Sequence, residues 1–246
     1  MKKLIIANWK MRLDLTSSLD LAKQVKKASP AYKGGIGLCP SYLALPAVAE
    51  VLKGSKIVLG AQDSALTDFG PYTGEVSPVD LKGLGVKYVI LGHSERREHF
   101  HENSAVINPK IIAALHNGLT PILCVGEKLI EKEQGRTKNY LSGELRHALK
   151  GVKIKRGSDL IIAYEPVWAI STNKAARSLP AEEAEIVQKF IKNYVAKILK
   201  KKVRVLYGGS VNSQNATSFL KQKDIDGLLV GSASLDVQEF SQICSL

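Results

Sequence analysis

The feature that most restricts how this chain can fold is an alternation. Short runs of apolar and β-branched residues are each followed by a longer stretch with helical spacing of its apolar positions, eight times over. The runs are Leu4–Trp9, Ile36–Cys39, Lys56–Ala61, Lys87–Leu91, Leu119–Val125, Leu160–Tyr164, Val203–Tyr207 and Asp226–Val230. Most lack the every-second-residue polarity of a strand with one wet face, so both faces are expected to be covered, as in a parallel sheet. Between them, Leu15–Ala28, Ala105–Asn117 and Pro180–Leu199 place apolar residues three and four apart and read as amphipathic helices. Eight such units close as an α/β-class (β/α)8 barrel, eight parallel strands with outer helices. An open doubly wound sheet is disfavoured, because no G-x-G-x-x-G follows the first run and the unusual residues follow many strands instead of one switch point.

A barrel of this kind needs about 250 residues, so the 246 present are expected to form one domain, 1–246. No Pro/Ser-rich linker, low-complexity tract or short repeat divides them. The longest irregular piece, Gln62 to Ser77, exceeds what a strand-to-helix connection requires, and a subunit contact is expected there. Only Leu4 to Ala7 precede polar Asn8, too short an apolar run for a secretory signal or a membrane span, so a cytoplasmic protein with no membrane partner is expected. Cys39, Cys124 and Cys244 are few and widely spaced; they read as reduced thiols, with neither a disulfide framework nor a metal site. The net charge of +12 raises the question of nucleic acid, but the lysines read as scattered over helical faces, densest at Lys200 to Lys202. A solvated basic surface without a nucleic-acid partner is therefore expected, one that would raise the local concentration of an anionic substrate.

In such a barrel the chemistry belongs at the C-terminal ends of the strands. The first run ends in Asn8-Trp9-Lys10, the fourth in Gly92-His93-Ser94-Glu95, the sixth in Tyr164-Glu165-Pro166, and the last two in Gly208-Gly209-Ser210 and Gly231-Ser232. Singly, Glu165 could be a cap, His93 a core histidine and Lys10 a rim charge. Together, an amide, an ammonium, an imidazole and a carboxylate at one geometric level point to catalysis. The glycines after the seventh and eighth runs let backbone N–H groups approach a ligand, and barrels commonly hold phosphate there. The segment Pro166-Val167-Trp168-Ala169-Ile170-Ser171-Thr172-Asn173-Lys174-Ala175-Ala176, with a stiff entry, an apolar middle and small residues at its far end, reads as a lid directly after Glu165.

The strings NWKM, GHSERR, CVGE, AYEPVWAI, YGGSV and GSASL occur in the order and spacing of the triosephosphate isomerase family, and the chain resembles that family over nearly its whole length. The resemblance implies a TIM barrel that interconverts dihydroxyacetone phosphate and D-glyceraldehyde 3-phosphate through an enediol(ate), in glycolysis and gluconeogenesis, without a cofactor. It implies Glu165 as the general base that carries the carbon proton both ways. His93 is implied as the electrophile, for which this family is itself the standard example of a neutral imidazole beside a helix N-terminus. Lys10 would stabilise the enediolate, with Asn8 binding substrate beside it and Glu95 as the carboxylate near the lysine. Backbone N–H groups of Ser171, Ser210, Gly231 and Ser232 would hold the phosphate, and Tyr207 the closed lid. Thr73, Gly74 and Glu75 resemble the loop tip that enters a neighbouring subunit, so a homodimer is implied, with Gln62 and Arg96 supporting the interface and the barrel rim.

Four positions in three places depart from the family pattern. The second lid hinge, usually glycine-threonine-glycine, reads Ser171-Thr172-Asn173; the phosphate glycine pair is Gly231-Ser232; and Arg12 stands where asparagine is common. Two other functions compete: another phosphosugar barrel enzyme, such as an aldolase or an epimerase, and a basic binding protein that keeps the barrel without catalysis. The first would use a Schiff-base lysine or a metal, and neither has a suitable set of residues at the strand ends.

Overall fold

The computed structural model describes residues 2–28, 34–170 and 179–245. Eight parallel strands close a barrel in chain order: β1 (Leu4–Asn8), β2 (Gly35–Cys39), β3 (Val58–Ala61), β4 (Tyr88–Leu91), β5 (Thr120–Val125), β6 (Ile161–Tyr164), β7 (Arg204–Tyr207) and β8 (Gly227–Val230). The last strand pairs with the first, Ile5 level with Leu228 and Ala7 with Val230. Around them run α1 (Leu15–Ala28), α2 (Leu45–Leu52), α3 (Pro78–Gly83), α4 (Ser94–His99), α5 (Ser104–His116), α6 (Leu129–Glu133), α7 (Thr137–Ala148), α8 (Ala181–Leu199), α9 (Ala216–Lys221) and α10 (Val237–Cys244).

The strands are buried on both faces, and the two faces pack into separate clusters. One face fills the barrel interior, with Ile6, Ile90, Ile122, Ala163, Leu206 and Leu229 from different strands; the other packs Ile5, Val89, Leu123, Ile162 and Val205 against the helices. Six runs begin one or two residues later as strands than the apolar pattern implies. Lys87 and Asp226 still donate to Leu59 and Val205 carbonyls, yet they lie outside the continuous ladder. β2 starts one residue early, at Gly35, where a side chain would meet Leu4 Cδ1 at 2.9 Å.

The helix readings fall within a residue of the structure, and the end residues show why. Asn103 caps α5 by accepting from the Ala105 and Val106 N–H groups, and Pro180 stands just before α8. The basic residues are spread over helix faces, as Lys23, Lys26 and Lys27 on α1, Lys138 and Arg146 on α7 and Lys189 and Lys197 on α8 show, but seven of them are gathered elsewhere. Lys150, Lys153, Lys155 and Arg156 precede β6, and Lys200 to Lys202 precede β7, side by side on the face opposite the strand C-termini.

Candidate active site

Each chemical group stands just past a strand, so the barrel wall sets its position. Lys10, two residues beyond β1, has φ 53°, a left-handed backbone that costs a non-glycine residue about 1–2 kcal/mol. Neighbours hold that conformation: the Lys10 N–H donates to Asn8 Oδ1 at 3.0 Å, and Gln62 Nε2 donates to the Lys10 carbonyl at 2.8 Å and the Cys39 carbonyl at 2.9 Å. Gln62 therefore supports the barrel rim through Lys10. The turn aims the ammonium at Glu95 Oε1, 2.7 Å away. Burial works against the Glu95 charge, but the Lys10 hydrogen bond and charge outweigh it and hold the carboxyl below its usual range.

His93 is the N-cap residue of α4 and is nearly buried. Its Nδ1 accepts from the Glu95 N–H at 3.2 Å, which requires the ring proton to sit on Nε2. That Nε2 lies 3.2 Å from Glu165 Oε1. The other Glu165 oxygen accepts from the Ser94 N–H at 3.2 Å, so the carboxylate rests against the first turn of α4 with 2% of its surface exposed. Only glycine fits around it: a Cβ on Gly208 would stand 2.9 Å from Glu165 Cγ, and one on Gly126 would stand 1.8 Å from the Glu165 carbonyl oxygen.

Asn8, Lys10, His93, Glu165, Gly208, Gly209, Gly231 and Ser232 line one cleft, with Ile170, Val211 and Leu229 as its apolar wall. Ser232 opens a single 3-10 turn, Ser232–Leu235, whose first N–H groups have no acceptor within the turn. Gly231 precedes it so closely to Lys10 that a side chain there would lie 3.5 Å from Lys10 Cε. Ser210 differs from the sequence expectation in one respect: its N–H and Oγ both engage the Ala169 carbonyl, at 3.0 and 2.7 Å, and so are already used by the lid base. Tyr207 is buried, stacks on Phe219 at 4.1 Å, and keeps its hydroxyl where a Gly209 side chain would fall.

The first part of the expected lid is present as a single 3-10 turn, Val167–Ala169. Its remainder, 171–176, with the Ser171 donor and the second hinge, lies outside the described residues. Thr73, Gly74 and Glu75 sit exposed at the loop tip, Gly74 with φ 90°. Arg96 joins a buried ion cluster in which it contacts Asp63 at 3.0 Å and Glu102 at 2.8 Å, and Lys110 contacts the same carboxylates at 2.7 and 2.6 Å. The three cysteines are free and buried. Among the described residues no group of His, Cys, Asp and Glu is arranged to hold a metal ion, and no helix is long and apolar enough to cross a membrane.

Sequence reasoning missed Glu127. Fully buried after β5, it accepts from Trp168 Nε1 at 2.9 Å and from the Tyr164 hydroxyl at 3.1 Å, tying the lid base to β6. Its only sequence signal was an acidic residue two positions past an apolar run, which does not distinguish a buried acceptor from a solvated charge. Arg97 was also missed; it braces the same region by donating to the Gly92 and Cys124 carbonyls and pairing with Glu144 at 3.1 Å.

A sequence profile described as triosephosphate isomerase matches residues 3–246. The triosephosphate isomerase of Dictyoglomus thermophilum is 43% identical over 244 residues, covering 98% of each chain. That of Caldanaerobacter subterraneus subsp. tengcongensis is 43% identical over 246 residues, again 98% of each. A crystal structure of triosephosphate isomerase from Bartonella henselae superposes with a TM-score of 0.88 at 31% identity, covering 100% of this chain and 98% of that one.

Proposed function

The chain belongs to the triosephosphate isomerase family, and from that premise we propose how its own residues perform the reaction. The enzyme interconverts dihydroxyacetone phosphate and D-glyceraldehyde 3-phosphate, a step of glycolysis. Glu165 takes a proton from the carbon next to the substrate carbonyl and returns it to the neighbouring carbon, so one carboxylate serves both transfers. As the carbon–hydrogen electrons move into the new double bond, negative charge develops on the carbonyl oxygen. His93 Nε2–H and the Lys10 ammonium are the donors for that charge, with Asn8 beside them.

One observation carries this reading. His93 Nδ1 is committed as an acceptor of the Glu95 N–H, so the nitrogen that faces Glu165 across 3.2 Å is the donor. Donor and base thereby meet in the cleft, and Glu95, which holds Lys10 at 2.7 Å, also donates its N–H to His93, so both donors are positioned by one residue. The Gly231 and Ser232 N–H groups receive the phosphate; the Ser210 N–H joins them once the Ala169 carbonyl withdraws. Ser171 adds a fourth donor and Tyr207 holds the closed lid, which excludes water from the enediolate.

The chain-wide barrel acts as a single domain, 1–246, in a cytoplasmic homodimer. Support for the dimer comes from large apolar side chains left exposed past four successive strands, Met11, Leu43, Phe69 and Phe100 at 93, 89, 76 and 65%, Phe69 on the same connection as the Thr73–Glu75 tip. The test of mechanism is Glu165→Gln, assayed on dihydroxyacetone phosphate after chelator treatment with a coupled dehydrogenase. Wild type should turn over rapidly, and the variant should fold normally with kcat lower by several orders of magnitude. Near-normal turnover of the variant would exclude Glu165 as the base. Sedimentation should give twice the 26.8 kDa chain mass, and a fully active monomer would remove the loop tip from the site.

A further inference from the structure

The strand order places two basic connections next to each other. β6 and β7 pair with Ile161 level with Arg204, so the segments leading into them emerge side by side at the N-terminal face. They also touch: a Cβ on Gly157 would stand 1.8 Å from the Lys202 carbonyl oxygen, so the two backbones are in contact. Lys150, Lys153, Lys155 and Arg156 lie on one connection and Lys200, Lys201 and Lys202 on the other, all exposed. Neighbouring strands are about 4.8 Å apart, within the Debye length of about 8 Å at physiological salt, so these charges act as one field. The only carboxylate on the two connections, Asp159, is occupied by the Arg156 guanidinium at 3.2 Å and by the Lys155 and Arg156 N–H groups. On the next connection, Asp224 and Asp226 are answered by Lys192 at 3.5 and 2.9 Å.

Helix electrostatics explains part of this ridge. In a (β/α)8 barrel the helix C-termini point to this face, and cations there complement the helix dipoles. Lys200 and its neighbours follow the end of α8 directly. That field fades within the last turn, whereas α7 ends at Ala148, and Lys153 and Lys155 lie beyond its reach. Lys200 moreover has φ 54°, a left-handed helix-ending position that favours glycine.

We propose that this ridge binds the phosphate backbone of nucleic acid without reading its sequence, on the face opposite the isomerase site. The side chains choose the partner. Six of the seven are lysines, point charges that neutralise phosphates without the planar fork that reads bases. Neither connection carries an aromatic residue on which a base could stack. A membrane surface fits less well, because charge alone anchors weakly and neither connection carries an exposed large apolar side chain, Ile154 being half-buried against the core and Ile198, before Lys200 on α8, only 36% exposed.

The experiment is fluorescence anisotropy of a labelled 20-base-pair duplex titrated with the intact protein at several salt concentrations between about 25 and 200 mM. Wild type should bind at low salt, with log K falling linearly as log salt rises. Lys153→Glu with Lys155→Glu should weaken binding at least tenfold at 50 mM salt and reduce the salt slope by about 1.8, from about 0.9 per lost phosphate contact. Lys23→Glu with Lys27→Glu on α1 makes the same change in net charge and should leave binding within about twofold. Isomerase kcat/KM should be unchanged in both, which also reports that both fold. No binding at the lowest salt, equal losses in the two double variants, or binding only to phosphatidylserine vesicles would each overturn the proposal.

Discussion

Gly126→Ala isolates what the barrel does for the catalytic carboxylate. Gly126 follows β5, its N–H donates to Glu144 Oε2 at 3.0 Å, and a Cβ there would lie 1.8 Å from the Glu165 carbonyl oxygen and 2.4 Å from its carbonyl carbon. Real contacts of this kind do not fall below 3.0 Å, so the two strand ends must separate by roughly 1.2 Å. Both atoms are backbone, and no rotamer change relieves the clash. The neighbourhood is also clamped, with the Glu165 N–H on the Val125 carbonyl at 2.8 Å and the Val167 N–H on the Glu127 carbonyl at 3.1 Å. The displacement is therefore delivered to Glu165. A misplacement of about 1 Å costs about 100-fold in rate, or about 2.7 kcal/mol of barrier, and the overpacking itself costs about 1–3 kcal/mol of stability. In the coupled assay kcat should fall about 100-fold while KM moves less than about threefold, because β7 and β8, which lead to the phosphate groups, are untouched. Urea unfolding run in parallel separates lost stability from lost rate. Gly208→Ala is the companion: it presses on Glu165 Cγ at 2.9 Å, a side-chain atom that can yield, and should cost only about tenfold. A folded Gly126→Ala enzyme with kcat within threefold of wild type would refute the reasoning.

Glu127→Leu should destabilise the chain by about 1–3 kcal/mol for each buried donor it orphans, Trp168 Nε1 and the Tyr164 hydroxyl, and lower kcat through the lid base. Unchanged urea unfolding would show that these donors find other partners. Burial raises the Asp63 carboxyl from 3.8 to about 6, against the opposing pull of Lys110. The folded chain then holds that proton more tightly than the unfolded one, so the contribution to stability is greatest at low pH and is lost as pH climbs through about 6. Wild-type stability measured against Asp63→Asn should accordingly decline between about pH 4 and 7, and a constant or rising difference would reverse the assignment.

What was legible without coordinates was local in the chain. Strand and helix periods are properties of short windows, so eight units, their buried faces and most element ends were readable within one or two residues. The polar groups that interrupt the apolar runs were readable for the same reason, and Asn8, Lys10, His93, Glu95 and Glu165 do converge. Glu127 went unread because an acidic residue after an apolar run looks the same whether it faces water or accepts from a buried indole. Closure of the barrel settles such questions. It brings Lys10 onto Glu95 and Glu165 onto Ser94 across 85 and 71 residues of chain, distances over which no periodicity carries information.

The same holds for space and charge. That Gly126 cannot accept a methyl group follows from the Glu165 backbone lying against it, and that the Ser210 N–H is occupied follows from the position of Ala169. Seven of the 35 basic residues lie in two groups about 50 positions apart in sequence; the pairing of β6 with β7 gathers those seven into one ridge, while others stay spread over helix faces. Sequence alone determined which elements form and which chemical groups stand at their ends, since those depend on near neighbours along the chain. Tertiary structure decided which of those groups touch, because contact depends on register and closure, which only the complete ring of strands defines.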